Sequence, residues 1–305
     1  MLSSLSNNTY KQYDGCIKAW INYCSKHDYD YTCGSIPIII HFLTEIFDKG
    51  AKYGTINSYK SALSLLLGNN LNDERLKRFM KGVFKLRPTN PKYNITWDPN
   101  IVLNFLALKW PNENLDLKTL SKKTVTLLAL VTAHRVQTLS LIKLNNIFTN
   151  SNEILIKIPD MIKTTKLNSA QPVLRLPFYN SRPEICPARC LQTYMDKTKT
   201  LRDNNFTSNL FLSVKKPHNK IGSQTISNWL KDITQLQESG VDTSIFSAHS
   251  TRHASTSKAN KLGVNIEVIK KTAGWTDSSS VFARFYNKNI VNNNEFAESI
   301  LDSYQ

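Results

Sequence analysis

Apolar residues in the first part of the chain recur every three to four positions, the spacing of an α-helix with one buried face. Pro37 precedes the second of these stripes, and proline favours the first turn of a helix. The pattern therefore predicts a wholly helical N-terminal domain over residues 1–87. Its four apolar stripes run through residues 13–24, 38–47, 53–67 and 71–86.

The pattern changes after Arg87. Residues 88–97 contain two closely spaced prolines and few apolar residues at their start, which predicts an extended linker. Helical spacing then resumes, and Asp98 followed by Pro99 is typical of a helix start. Helices are predicted over residues 98–108, 117–133, 187–201, 223–236 and 264–272, with a further helix starting after Arg135.

Two short stretches alternate apolar and polar residues, as strands do. Residues 153–158 and 171–176 therefore predict a β-hairpin, joined by a long polar connection, and residues 210–212 a third short strand. The expected fold is mainly α with a small antiparallel β-sheet: a helical domain, a linker, and a second domain over residues 98–305. An amphipathic tail helix is predicted over residues 292–305.

The net charge of the chain indicates what kind of partner it binds. Its 305 residues hold 39 Lys and Arg against 23 Asp and Glu, a formal net charge of +16. Such an excess, spread through patterned sequence, indicates a folded protein that binds nucleic acid. Membrane binding is the weaker interpretation, since no apolar run approaches the roughly 20 residues of a spanning helix, and the N-terminus lacks the features of a signal peptide.

The fourth predicted helix has a basic row beside its apolar stripe. Lys77, Lys81 and Lys85 recur every four residues, with Arg78 beside them. We expect these four side chains to lie along a DNA backbone, although solvated surface charge is the usual alternative.

The five cysteines are odd in number in a large chain, so no disulfide framework is expected and a reducing compartment fits. Their spacing gives no zinc motif, and no metal or other cofactor is predicted. We expect the protein to be intracellular, and nuclear if the host is a eukaryote.

Residues 246–286 hold side chains suited to chemistry on a phosphodiester. Arg252 offers a fixed cation with a planar fork of donors, and His249 can donate to phosphate or move a proton near neutral pH. Tyr286 can act as a covalent nucleophile once its proton has an acceptor. Trp275 adds one indole donor. Taken singly, each of these residues is better explained by packing or surface charge; their order on a basic chain favours function.

The ordered set HSTRH, then AGW, then RFY resembles the C-terminal signature of the tyrosine recombinases, the phage integrase family. A second segment, LALVTAHRVQTLSLIKL, is similar to the box that carries the first catalytic arginine of that family. The resemblance implies a core-binding domain followed by a catalytic domain, and Tyr286 as nucleophile. It also implies that Arg135 and Arg252 bind the scissile phosphate with His249 and Trp275.

The resemblance places a catalytic lysine on the predicted hairpin. Lys163 is preferred because it follows the first strand closely, with Lys166 as the alternative and Lys157 on the strand as a more remote one. Two departures from the family pattern stand out: Thr138 occupies a position that is commonly acidic, and Trp275 and Tyr286 lie eleven residues apart, longer than the commonest spacing. The long spacing, the QTL after Arg135 and the KTT…QPVL hairpin resemble those of Crypton and DIRS-like recombinases of eukaryotic mobile elements.

The resemblance implies a site-specific recombinase or integrase that cleaves and rejoins DNA through a 3′-phosphotyrosyl link, with double-stranded DNA as partner. Strand exchange needs four active sites, so a homotetramer on DNA is expected, with a monomer possible in solution. The alternatives are a type IB topoisomerase, which shares the chemistry, and a DNA-binding protein that kept the fold without the activity.

Overall fold

A computed structural model describes residues 5–88, 93–165, 167, 170–202, 208–235, 239–275, 282 and 286–290. The chain divides into two compact units, residues 1–92 and residues 93–305. No helix within these described ranges is both long and apolar enough to cross a membrane.

The described residues of the first unit form four α-helices, as the apolar stripes predict. Its core is formed by large side chains without solvent exposure, among them Trp20, Phe42 and Leu63. Polar caps fix two of the helix starts: Ser6 accepts a hydrogen bond from the backbone N–H of Thr9, and Asp73 from that of Arg75. The helices are α1 (Asn7–Lys26), α2 (Ile36–Asp48), α3 (Tyr53–Leu67) and α4 (Glu74–Leu86).

Helix α4 buries Leu76, Met80 and Val83 and exposes its basic row. Lys77 in that row pairs with Glu74 at 2.7 Å. Phe84, predicted to be part of the apolar stripe, is instead 46% exposed, its ring edge against Tyr53. Arg87, which follows α4, packs instead on the first unit: its guanidinium lies 3.8 Å from the centre of the Phe47 ring and donates to the backbone carbonyls of Phe47 and Ala51.

The second unit packs its helices around α6, which is buried on nearly all sides and contacts α8, α9 and α10. Its elements are α5 (Pro99–Ala107), α6 (Leu117–Thr132), α7 (Val136–Ser140), α8 (Pro187–Thr198), α9 (Ser223–Gln235), α10 (Ser250–Lys261), α11 (Ile266–Thr272), and the strands β1 (Ile95–Thr96), β2 (Ile147–Thr149), β3 (Glu153–Lys157), β4 (Val173–Pro177) and β5 (Asn289–Ile290).

The strands form two small sheets. Strands β2, β3 and β4 make an antiparallel sheet in which Ile156 of β3 faces Leu174 of β4. Alternate residues Ile154 and Ile156 point into the core, as a half-buried strand requires. Strands β1 and β5 pair in parallel, which joins the start of the second unit to the chain just beyond Tyr286.

Three details differ from the sequence predictions. Residues 93–97 do not form a free linker, since Tyr93 is 5% and Trp97 3% exposed within the core. The helix after Arg135 stops at Ser140, and a strand absent from the sequence prediction, β2, follows. Within residues 210–212, only Leu212 takes part in a β-bridge, an isolated one with Lys220. The predicted tail helix 292–305, and most of the segment between Trp275 and Tyr286, lie outside the described residues.

Candidate active site

The phenol of Tyr286 is hydrogen-bonded to an imidazole. His249 Nε2 lies 2.7 Å from Tyr286 Oη, within the reach required of a proton acceptor. His249 is exposed and occupies the residue just before α10, and Tyr286 is 7% exposed. A partly accessible imidazole therefore touches a nearly buried phenol, which places a proton acceptor beside the phenolic oxygen.

Aromatic rings hold the Tyr286 side chain on two sides. The ring of His253 stacks on it at 4.2 Å between centroids and 14° between planes. Trp275 meets it edge-on at 4.7 Å. The backbone is held as well, because Ser257 Oγ donates to the carbonyl of Tyr286 at 2.7 Å. Together these contacts fix the position of the phenolic oxygen.

Arg252 is almost completely buried beside this tyrosine. Its side chain is 1% exposed, and its guanidinium carbon lies 4.0 Å from the centroid of Trp275 and 5.3 Å from that of Tyr286. Nη1 donates to the backbone carbonyl of Ala133 at 2.7 Å. Among the residues that the structure describes, Nε and Nη2 of Arg252 and Nε1 of Trp275 have no hydrogen-bond partner. Buried donors left unpaired are costly, so an acceptor bound beside these three N–H groups would lower the energy of the site.

The end of α6 brings the second arginine to the site. Ala133 adopts a left-handed conformation with φ of 49° and terminates α6, and Arg135 follows at the start of α7. Burial, together with the charge of Arg135, lowers the pKa of Arg252 to about 9. Arg252 is still a cation at neutral pH, so the two guanidinium groups repel each other, and an anion bound between them would relieve that repulsion.

His134 lies next to Arg135 in the chain and is absent from the site predicted from the sequence. It is 6% exposed, and a side chain at Gly274 would meet its ring at 2.9 Å. Gly274 also has a φ of +68°. Glycine is therefore favoured there both by the backbone conformation and by the lack of space for a side chain. Burial and the charges of Arg252 and Arg135 lower the pKa of His134 to about 3. His134 is therefore a neutral ring packed beneath the turn that carries Trp275.

The buried, neutral state of His134 predicts a loss of stability in mild acid. Its folded-state pKa is depressed from 6.5 to about 3, so the stability is present above pH 6.5 and is lost as the pH falls towards 3. This group should lower the free energy of unfolding by about 2 kcal/mol between pH 7 and pH 5. Urea denaturation of wild type and His134→Gln at both pH values measures it, since glutamine does not titrate there. An equal loss in both proteins would contradict this assignment.

The structure brings together four of the six residues predicted to form the site. His249, Arg252, Trp275 and Tyr286 form the direct contacts described above, and Arg135 is close enough to act on the charge of Arg252. The preferred lysine, Lys163, is exposed in the turn after β3, away from those direct contacts. Lys166 lies outside the described residues, and Lys157 lies over the Phe148 ring at 4.8 Å.

Three residues that contact the site are missing from the sequence predictions. His253 lies four positions after His249, the spacing that places two side chains on one helix face, so this signal was available. Ser257 continues the same face by another four positions. His134 gave no such signal, because its contact with Gly274 depends on tertiary folding. Within the described ranges, no group of three or more potential ligands is arranged to hold a metal ion.

A family model for the phage integrase family matches residues 108–291, more than half of the chain. No curated protein sequence matches this chain significantly. The matched range contains Arg135, Lys163, His249, Arg252 and Tyr286.

Solved structures with a similar fold include three DNA complexes at low sequence identity. The Tn1549 transposon integrase with transposon right-end DNA has a TM-score of 0.63 and 13% identity, over 98% of this chain and 95% of the other. XerH recombinase bound to a palindromic difH substrate, in a post-cleavage complex, has a TM-score of 0.63 and 13% identity over 96% and 78%. A lambda integrase dimer bound to a core site has a TM-score of 0.54 and 15% identity over 93% and 73%.

Proposed function

This chain belongs to the phage integrase family, and on that premise we propose that it cleaves and rejoins DNA by site-specific recombination with Tyr286 as its nucleophile. The observation that supports this most strongly is the buried Arg252, with two unpaired donors among the described residues, beside a phenol hydrogen-bonded to His249. A backbone phosphate satisfies those donors, and its phosphorus comes within reach of the phenolic oxygen. A free inorganic anion would satisfy the arginine but would offer the phenol no ester bond to attack, whereas a phosphodiester accounts for both groups.

The proposed step is a transesterification. Tyr286 Oη attacks the phosphorus and transfers its proton to His249 Nε2, while the bond from phosphorus to the 5′-oxygen breaks. The product is a 3′-phosphotyrosyl link, and the leaving 5′-oxygen takes a proton from the general acid. Arg135 and Arg252 bind the non-bridging oxygens and stabilise the charge that grows on them. Because the link preserves the energy of the phosphodiester, a 5′-hydroxyl from another strand reverses the step without ATP.

We assign the general acid to Lys163, with Lys166 as the alternative. A hairpin lysine can reach a leaving oxygen only when DNA is bound, so the exposure of Lys163 in the free protein fits the role. Comparing single-turnover cleavage by Lys163→Ala and Lys166→Ala decides between them: the general acid is the lysine whose removal slows the reaction about 10²-fold or more. Equal, small effects would remove both.

The exposed basic row of α4 is assigned to the DNA backbone. Lys81 and Lys85 lack ion pairs within the described part of the chain. Replacing both by Gln should weaken binding to all sequences alike and reduce the slope of log Kd against log salt by roughly 2, one unit for each phosphate that is no longer neutralised. An unchanged slope would place the row away from DNA.

The experiment that tests the function uses the DNA flanking the gene of this protein. A duplex with a nick beside the cleavage site loses its short strand after attack, which traps the covalent adduct. Adducts that resist boiling in detergent support the proposal, and binding without adducts favours a non-catalytic DNA-binding protein. Relaxation of supercoiled plasmid without strand exchange would favour a topoisomerase. Sedimentation of the trapped complex tests the proposed tetramer, and exchange between element ends tests the proposed role in a mobile element.

A further inference from the structure

The segment that opens the second unit contacts the helix start bearing His249. Tyr93 Oη lies 2.6 Å from Ser247 Oγ and accepts a hydrogen bond from the backbone N–H of Ser247 at 3.0 Å. Trp97 Nε1 donates to Ser250 Oγ at 2.8 Å. Ser247 and Ser250 flank His249 in the chain, so two hydrogen-bonding side chains of residues 93–97 hold the turn that presents the imidazole.

The same segment also contacts the chain beyond Tyr286. Ile95 and Thr96 pair in parallel with Asn289 and Ile290, so β5 is anchored only three residues after the tyrosine. Ser257 Oγ receives the backbone N–H of Lys288 at 3.0 Å and donates to the carbonyl of Tyr286 at 2.7 Å. The chain leaving the tyrosine is thus held between β1 and α10.

A third connection runs through aromatic rings. The Tyr93 ring meets the His253 ring edge-on at 5.4 Å, and His253 stacks on Tyr286 at 4.2 Å. Tyr93 also lies 5.5 Å from the ring of Phe246, just before the turn. One ring separates Tyr93 from the nucleophile, and Tyr93 is nearly buried at 5% exposure.

We propose that residues 93–97 form a strap that sets the position of Tyr286 against His249 and Arg252, with Tyr93 and Trp97 as positioning residues. This inference rests on the proposed function, because it concerns the geometry of that reaction. The strap contacts the two parts of the chain that carry the site: the helix start that bears His249 and Arg252, and the strand that follows Tyr286. Neither residue has a place in the catalytic signature, and sequence alone assigns this segment to a linker.

The physical reason is that attack in line with the leaving group tolerates little error in distance. A displacement of about 1 Å can reduce the rate of a positioned reaction by about 10²-fold. Removing one hydrogen bond from the strap leaves the fold intact but lets the turn at residues 247–250 relax. The cost should therefore fall on the chemical step and leave DNA binding unaffected.

The test compares Tyr93→Phe with Tyr179→Phe. The first change keeps the ring contacts with Phe246 and His253 and removes only the hydroxyl; the second makes the same change at a tyrosine that is 47% exposed. Three quantities are measured: Kd for the nicked duplex, the single-turnover rate of adduct formation at saturating DNA, and the midpoint of thermal unfolding. We expect Tyr93→Phe to form adducts about 10-fold more slowly at an unchanged Kd, and Tyr179→Phe to match wild type.

A second variant controls for an effect peculiar to Tyr93. Trp97→Phe removes the indole donor to Ser250 and should slow the same step, and the double variant should be slowed by less than the product of the two effects, because both act on one turn. A wild-type rate of adduct formation by Tyr93→Phe at saturating DNA would contradict the proposed positioning role of residues 93–97. So would a slower rate accompanied by weaker binding and a much lower unfolding midpoint, which indicates core packing alone. Absence of adducts with wild type would instead contradict the proposed function.

Discussion

Replacing Tyr286 by phenylalanine is expected to abolish covalent attachment to DNA while leaving DNA affinity close to that of wild type. Phenylalanine keeps the ring that stacks on His253 at 4.2 Å and meets Trp275 at 4.7 Å, so the pocket retains its shape. It lacks the oxygen that lies 2.7 Å from His249. Without that oxygen no phosphotyrosyl link can form, and the expected loss is complete within detection, at least about 10⁴-fold, since removing a nucleophile costs that much or more.

The measurement is the yield of detergent-stable adduct on the nicked duplex, with Kd determined on the same DNA. Tyr179→Phe is the matched control, and Tyr304→Phe removes the other tyrosine of the C-terminal region. Both should form adducts as wild type does. Adducts that persist in Tyr286→Phe would show that another side chain attacks.

Replacing Arg252 by methionine should separate activity from stability. The buried cation has no carboxylate partner within the described residues and lies near the charge of Arg135. Its burial therefore lowers the folding stability of the DNA-free protein. Methionine is unbranched and uncharged, and its flexible side chain fills the apolar part of the space that arginine occupies. It loses the hydrogen bond to Ala133, which is worth about 1 kcal/mol, but removes a larger desolvation cost. We expect an unfolding midpoint equal to or above that of wild type. We also expect cleavage about 10³-fold slower, because the cation that binds the phosphate is missing.

Arg252→Lys is the matched control, because it keeps the charge without the planar fork of donors. It should cleave faster than Arg252→Met, slower than wild type, and gain no stability. The proposed role would be contradicted if Arg252→Met lowered the unfolding midpoint by several degrees and still cleaved at a rate near that of wild type. That result would make Arg252 a structural residue.

Much of this fold follows from local patterns. Three-to-four-residue apolar spacing predicts the helices of the first unit, and the bounds of α3 agree with the prediction to the residue. The signature residues are similarly readable, because His249 and Arg252 share the start of one helix and Tyr286 has few competitors. Local spacing carries this information because each element is set by residues close in sequence.

The remaining features depend on contacts between distant residues. Tyr93 and Trp97 resemble linker residues until their partners, 153 or more positions away, are known. His134 gains its neutral state only from Gly274 and the two arginines around it. The lysine assignment depends on bound DNA, which local pattern cannot supply.

The proposed mechanism depends on Tyr286 attacking a backbone phosphate held by Arg135 and Arg252. It is tested most directly by trapping the adduct on a nicked duplex, digesting it with protease, and sequencing the nucleotide-linked peptide by mass spectrometry. We predict one modified residue, Tyr286, joined to a 3′-phosphate, and a free 5′-hydroxyl on the released strand. A link through any other residue, or to a 5′-phosphate, would contradict this mechanism.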